Sequence, residues 1–486
     1  MARVDVVIIG AGLGGLTAGA ILAREGRTVL VIERSNSVGG AASSYKVGDL
    51  FVEGSLHATT DPHEAHDPKL QALIRAGVLD AVQWVPAGSL YEVRGGPLPQ
   101  PFVLPDDLAA ARAALLAGFP NAQAGLATLF DELDRLTASP DQAGDEQLSL
   151  AQKLDQLFGA DEAVKCAVAG NLAYYHDDPA TLGWRQFAAA QGSYLRSGAR
   201  YVQGGSQRLS SALARAIKRA GSEVLIRRVV SAITMDGNGA VSGIVHTARD
   251  GSDPQSVDAA QVIGNAAPTA LAAMLPEDAG ARLIESYAAQ PSSISLFALT
   301  LGLAKPPREF GVSAYSTQLL PDWMTRLADY AQGTALMAGE PAGRMPPLAI
   351  ADYAAIESGV PAPPYVLSVV GPDQISNWSA QDADAYRAKR ARWQDAIVGY
   401  LDAQYPGLAA AVTHSSFNTA LSVQQYLNAP QGAVYGFAPL PGSRAERSPR
   451  TVLPGLYLAS AYAGFGGYSG VVQSAGVCAD LVLQPR

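Results

Sequence analysis

Residues 4–34, VDVVIIGAGLGGLTAGAILAREGRTVLVIER, read as strand, glycine-rich turn, helix, second strand and terminal acid. Val4, Val6, Val7, Ile8 and Ile9 form a near-continuous apolar run, as expected of a strand buried on both faces. Gly10 permits a tight turn, Gly12 lets the backbone approach a pyrophosphate, and Gly15 lets the helix pack closely on the strand. The helix that follows aims its free N–H groups and positive dipole end at phosphates. Glu33 closes the second strand 23 residues beyond Gly10, where an acid holds the ribose hydroxyls of an unphosphorylated adenosine. The stretch therefore predicts a bound adenine dinucleotide. Residues 6–22 are uncharged and long enough to suggest a membrane span or leader. Clustered glycines after a β-branched run, and the matched second strand, argue for the nucleotide fold instead.

Outward from this unit, 486 residues are too many for one ordinary core and predict two or three lobes. An apolar fraction of 48% with 16% charged residues fits a large buried interior rather than disorder. A net charge of -9 argues against nucleic acid as a partner. Cys166 and Cys478 are the two cysteines, far apart, so neither a disulfide framework nor a cysteine metal cluster is expected. His57, His63 and His66 do not have the spacing of a helical metal pair, and no metal site is predicted. A reducing compartment, the cytoplasm, is expected, with peripheral contact at the inner membrane face as a further option.

From 69 to about 200 the pattern reads as mostly helical. Asp107 caps one helix, Leu126, Leu129, Phe130, Leu133 and Leu136 stripe another, and 139–147 reads as a solvated linker. Gly204-Gly205 opens a helix with Leu209, Leu213 and Ile217 on its buried face. The turn Asp236-Gly237-Asn238-Gly239 joins strands at 223–235 and 240–247, and 261–265 gives another strand before a helix at Pro268. Strands are expected at 294–303 and 365–371, a helix near 383–404 and proline-rich loops around 341–364. Gly455–Leu483 reads as strand, glycine-rich loop and helix. The simplest assembly is a discontinuous nucleotide domain from 1–68, 203–290 and 430–486, with a substrate domain from 69–202 and 291–429.

Four features select FAD. The site is N-terminal, with Arg34 and Gly39-Gly40 after Glu33. There is one complete G-x-G-x-x-G, so a separate nicotinamide domain has no home. The hairpin region 223–265 matches the β-rich crossover of an FAD domain. Finally, the strand ending at Ala459-Ser460 leads into Ala463–Gly470, a loop able to press amides against a flavin, with a helix N-terminus at Gly470-Val471.

On these residues the chain resembles the phytoene desaturase superfamily, which includes carotenoid desaturases, carotenoid isomerases and retinol saturase. The likeness is firmest at 4–44, 203–209 and 455–476, with support from Phe51–His57 and from Asn428–Gly436 (NAPQGAVYG). It implies an α/β chain with a Rossmann-like FAD-binding domain of the glutathione-reductase type and a discontinuous α+β substrate domain. It also implies tightly bound FAD, a long apolar tunnel entered from a membrane surface, and chemistry on a C=C or C–C bond of a polyene or similar lipid. The expected FAD contacts are Gly10, Gly12, Leu13, Gly14, Gly15, Glu33, Arg34, Gly39, Gly40, Ala41, Val229, Ala459, Ser460, Gly467, Gly470 and Val471. In place of the family's usual flavin loop this chain has Gly467-Tyr468-Ser469-Gly470, and Tyr468 narrows or polarises the space there. Ser460-Ala461 stand where amine oxidases usually carry an acid, which turns the expectation away from amine oxidation.

No catalytic residue is assigned. Polar candidates are Tyr462, Tyr468, Tyr435 and His57, with the cluster Tyr174-Tyr175-His176-Asp177-Asp178. His57 reads first as a structural residue near the cofactor, and the aromatic cluster first as core. Three functions remain open: a redox enzyme on a lipophilic unsaturated substrate, a flavin-dependent isomerase without net redox, and a non-catalytic flavin-bearing partner. The electron donor or acceptor and the oligomeric state are not readable.

Overall fold

The computed structural model describes residues 2–138, 147–378, 382–443 and 447–484. Most of the expected linker at 139–147 lies outside them. The opening stretch forms strand Val6–Ile9, helix Leu13–Arg24 and strand Val29–Ile32. These strands centre a five-stranded parallel sheet in the order 223–225, 29–32, 6–9, 261–264 and 456–458. Three distant segments of the chain therefore meet in one sheet.

Side-chain alternation explains the layers on either face. Val6, Ile8, Val29 and Val31 point into a core with Leu209, Leu213 and Ile217 of helix Gln207–Arg219 and Val472, Ala475 and Ala479 of helix Gly467–Leu483. Val7, Ile9, Leu30 and Ile32 point the other way, onto Val230, Ile233, Ile244 and Val257. Those four belong to a second sheet, ordered 2–3, 255–258, 241–248 and 228–235. Both faces of the parallel sheet are covered, as its continuous apolar strands require.

The second large unit is a seven-stranded sheet ordered 412–418, 295–303, 365–373, 348–352, 316–320, 91–95 and 102–104. Leu299, Leu301, Leu367 and Val369 pack on Trp393, Ile397 and Leu401 of helix Ala383–Gln404. Residues one position away, Ala298, Ser368 and Val370, face a cavity on the opposite side. Helices between Leu108 and Ser197 form a further core with Tyr91, Val93, Tyr315 and Ala351. Asp107 caps the first of these by accepting from Ala110 N at 2.8 Å.

Two expectations need correction. The segment 69–200 is not only helical: strands Trp84–Pro86, Tyr91–Gly95 and Phe102–Leu104 interrupt it. They are short, and runs this short offer little alternation to read. Trp84–Pro86 pairs with the distant 200–202, and Tyr91–Gly95 forms a hairpin with Phe102–Leu104 through Gly95-Gly96 while also pairing in parallel with Ser316–Leu320. The supposed loop at 341–364 contains strand Leu348–Asp352. Helix Leu70–Ala76, just past the expected boundary at 68, packs Ala72, Leu73 and Ala76 into the core of the parallel sheet's helical face.

Candidate functional site

A cavity of about 470 Å³ runs from the carboxyl ends of the parallel strands to the inner face of the seven-stranded sheet. Crevices beyond the carboxyl ends of parallel strands are where this architecture takes ligands. At the nucleotide end Gly10 has φ +97°, a left-handed conformation costly for any side chain. Helix Leu13–Arg24 begins at Gly12, with no side-chain cap and no acid in its first turn. Its amides and dipole are thus left for an anion from outside the chain.

The glycines of the turn are also required by protein neighbours. A Cβ on Gly12 would stand 2.5 Å from Asn265 Nδ2, and one on Gly14 would overlap the Ala459 carbonyl oxygen. A Cβ on Gly15 would come within 2.5 Å of Gly10 O and 2.9 Å of Asn265 Cβ. The glycine motif therefore cradles the end of the neighbouring strand as well as the space for a pyrophosphate. Asn265 was missed in the sequence. Its signal was a polar residue directly after the apolar strand Gln261–Gly264, at the strand's carboxyl end.

Glu33 is buried and accepts from Ala11 N at 2.8 Å and from Ser35 N at 2.7 Å. It ties the glycine turn to the end of the second strand and also lines the cavity. A carboxylate has about four acceptor positions, so two remain for hydroxyls. Arg34 lines the same wall and donates to the Tyr426 carbonyl at 2.6 Å.

Of the expected contacts, Gly10, Gly12, Leu13, Gly14, Glu33, Arg34, Gly39, Gly40, Ala41, Val229, Ser460, Gly467 and Val471 line the cavity. Gly15, Ala459 and Gly470 do not: they are close-packing positions behind the wall, Gly470 lying against Phe465. The last helix starts at Gly467, three residues before the expected Gly470, again without a side-chain cap. Arg228, Gly54, Ser55, Leu56 and Asn428 also line the wall and were not foreseen.

Beyond Ser460 and Gly467 the wall is aromatic. Tyr91, Tyr174, Tyr175, Tyr194, Tyr435, Tyr462 and Tyr468 all face the cavity. The hydroxyls of Tyr462 and Tyr468 are buried and have no hydrogen-bond partner among the described residues. The cluster 174–178 divides. Tyr174 and Tyr175 line the cavity rather than a sealed core, whereas His176 bonds Thr181 at 2.9 Å and Asp177 accepts from Thr334 at 2.7 Å, away from it.

His57 is buried with its Nδ1 2.7 Å from the Tyr174 hydroxyl and its Nε2 3.1 Å from Ser368 Oγ. Burial lowers its pKa to about 4, so the ring is neutral at neutral pH. Burial likewise pushes the Tyr174 hydroxyl well above its ordinary range. Glu53 also lines the cavity, where it accepts from Ser206 N at 3.0 Å and Tyr201 OH at 3.1 Å. Desolvation raises its pKa against those hydrogen bonds. Behind the last helix, Lys69 is fully buried and donates to Asp67 and Thr60 O at 3.0 Å and to Ser469 at 3.1 Å. Burial lowers its pKa to about 8. Among the described residues, no group of histidines, cysteines and acids is placed to hold a metal ion. Nor is any helix among them long and apolar enough to cross a membrane.

A model of the flavin-containing amine oxidoreductase family matches residues 13–483. An all-trans-retinol 13,14-reductase of Macaca fascicularis is 27% identical over 298 residues, covering 54% of this chain and 47% of that protein. The match thus spans about half the relative's length. A reductase of the same name from Rattus norvegicus is 23% identical across 99% of this chain and 86% of that one. Cyclohexylamine oxidase of Brevibacterium oxydans shares the fold at a TM-score of 0.61, with 18% identity over 99% of this chain and 98% of the other.

Proposed function

This chain belongs to the flavin-containing amine oxidoreductase family, and from that premise we propose that it uses FAD to saturate a C=C bond of a neutral, lipophilic polyene or isoprenoid substrate. The cofactor is FAD, and the uncapped helix start at Gly12 and the acceptor positions left on Glu33 suit its pyrophosphate and ribose. In this reading Gly10, Gly12, Leu13 and Gly14 hold the pyrophosphate, Glu33 the ribose, and Ser460, Gly467 and Val471 the ring system. When bound, FAD supplies two-electron hydride transfer.

One observation carries the choice of a neutral substrate. Among the described residues, the carboxylates lining the cavity are Glu33 and Glu53. Glu33 lies at the nucleotide end and is taken by the ribose in this reading, and Glu53 is held by Ser206 and Tyr201, its burial disfavouring the charged form. An alkylammonium ion entering an apolar, tyrosine-walled chamber would find no free counter-charge, and burying it unpaired is costly. A neutral polyene meets no such penalty. The retinol reductases among the relatives support saturation as the direction. The likeness to phytoene desaturases supports the substrate class. Peripheral contact with a membrane surface, from which such a substrate would enter, is part of the proposal.

The chain's own residues then have defined tasks. The tyrosine wall would exclude water and orient the polyene, and Gly467, which lines the cavity at the start of the last helix, would help to hold the ring system. The test incubates FAD-loaded protein with dithionite and all-trans-retinol under anaerobic conditions and weighs the product. A product heavier by two hydrogens supports the reading. Unchanged retinol, with oxidation of cyclohexylamine by the same preparation, overturns it.

A further inference from the structure

Saturating a C=C bond requires a proton as well as a hydride, and the cavity holds few groups able to give one. We propose that the Tyr174 hydroxyl is the proton donor, with His57 and Ser368 as the relay that positions and recharges it. This rests on the polyene-saturating reading above.

Three observations converge. First, Tyr174, His57 and Ser368 all line the cavity and form one continuous chain, Tyr174 OH to Nδ1 at 2.7 Å and Nε2 to Ser368 Oγ at 3.1 Å. The rings meet edge to face, with centroids 5.7 Å apart at 90°. Second, the relay comes from separate parts of the fold. His57 follows the cavity-lining segment Gly54–Leu56, Tyr174 ends a short helical turn of the second lobe, and Ser368 lies on strand Tyr365–Asp373. Third, the His57 segment is pinned. Tyr353 OH donates to Leu56 O at 3.2 Å, and Tyr315 OH donates to His57 O. A histidine held this firmly keeps its ring nitrogens aimed at fixed partners.

The step balances as follows. The substrate π bond breaks; one carbon accepts a hydride, with its two electrons, from reduced FAD, and its neighbour accepts the Tyr174 proton. FAD ends oxidised and is reduced again by a two-electron donor, dithionite in the test. As the phenol loses its proton, neutral His57 presents Nδ1–H to the phenolate oxygen while Nε2 accepts from Ser368. The proton is then restored from water through this chain. Because burial keeps His57 neutral, the relay has one N–H to donate and one lone pair to receive.

The experiment compares wild type, Tyr174→Phe, His57→Gln and Ser368→Ala, each loaded with FAD, reduced with dithionite and mixed with all-trans-retinol. Tyr174→Phe is expected to lose at least ~100-fold in the rate of retinol reduction, the scale of general acid catalysis. Its flavin content and visible spectrum should stay unchanged. His57→Gln and Ser368→Ala should lose progressively less. Independently of turnover, ¹⁵N spectra of labelled histidine should show His57 neutral at pH 5.5, with an Nδ1 shift that moves in Tyr174→Phe. A wild type that reduces no polyene removes both the function and this inference. A wild type that reduces retinol, matched within about twofold by Tyr174→Phe, overturns the inference alone. So does a His57 signal that titrates near its ordinary pKa and ignores Tyr174→Phe.

Discussion

The two ends of the cavity are built by different means. At the nucleotide end the contacts come from backbone: the turn after Ile9, the uncapped start of helix Leu13–Arg24 and the amides fixed by Glu33. At the substrate end they come from side chains on alternate positions of long-range strands, such as Ala298 and Val370, which pair directly in the seven-stranded sheet. Backbone recognition constrains residue type sharply, because a single Cβ can fill the space. Side-chain recognition leaves the strand intact whichever residues line it. The first end therefore carries a signature and the second carries specificity.

The largest expected effect lies behind the last helix. Lys69→Met removes the cation from a buried pair with Asp67 and one of the hydrogen bonds to Ser469, which keeps Thr59 and Thr60 as partners. Breaking such a pair costs about 3–5 kcal/mol. Urea unfolding should show one transition shifted to lower denaturant. An unshifted transition would show that the buried pair adds nothing to stability. Next, Gly14→Val drives a side chain into the Ala459 carbonyl, which cannot yield without moving the terminal strand. A loss of about 3 kcal/mol is expected, with empty flavin sites in the purified protein. Full flavin occupancy in this variant would break the contrast, since the backbone end would then tolerate a side chain.

These two variants also mark what the sequence could disclose. The βαβ unit was legible because its glycines, apolar strands and terminal acid are imposed by backbone geometry. Asn265 and the packing role of Ala459 were not, because they depend on a strand 255 residues on in the pairing and on the last strand beside it. In the second lobe, the hairpin of Tyr91–Gly95 with Phe102–Leu104 did carry a local mark in Gly95-Gly96 that was passed over, whereas the facing of Ser368 rests on pairing with 295–303, which leaves no local pattern. Tyr174 read as core for the same reason: an aromatic at a helical end looks identical whether it meets protein or a cavity.

A third test probes the side-chain end by pH. His57 has a folded pKa of about 4, below its ordinary 6.5. The unfolded chain therefore takes up a proton that the fold refuses as pH drops. Stability from this residue is fully present above pH 6.5 and lost as pH falls toward 4, by up to about 3 kcal/mol. Urea midpoints of wild type at pH 7 and 4.5 should diverge more than those of His57→Gln. Equal divergence would show that His57 is protonated in the fold. The smallest effect is at the nucleotide end. Glu33→Ala leaves the Ala11 and Ser35 amides without their acceptor, for about 2 kcal/mol. Flavin should be lost on gel filtration while the far-ultraviolet spectrum is retained.

The central claim is that one cavity joins FAD to a neutral, unsaturated lipid. It is tested most directly by following the flavin absorbance, at roughly 450 nm for an oxidised flavin, after anaerobic mixing of dithionite-reduced protein with all-trans-retinol. The account predicts that the oxidised band returns in step with the saturated product, and that cyclohexylamine does not bleach the oxidised protein. A band that stays bleached with retinol, but is bleached from the oxidised state by the amine, would contradict it.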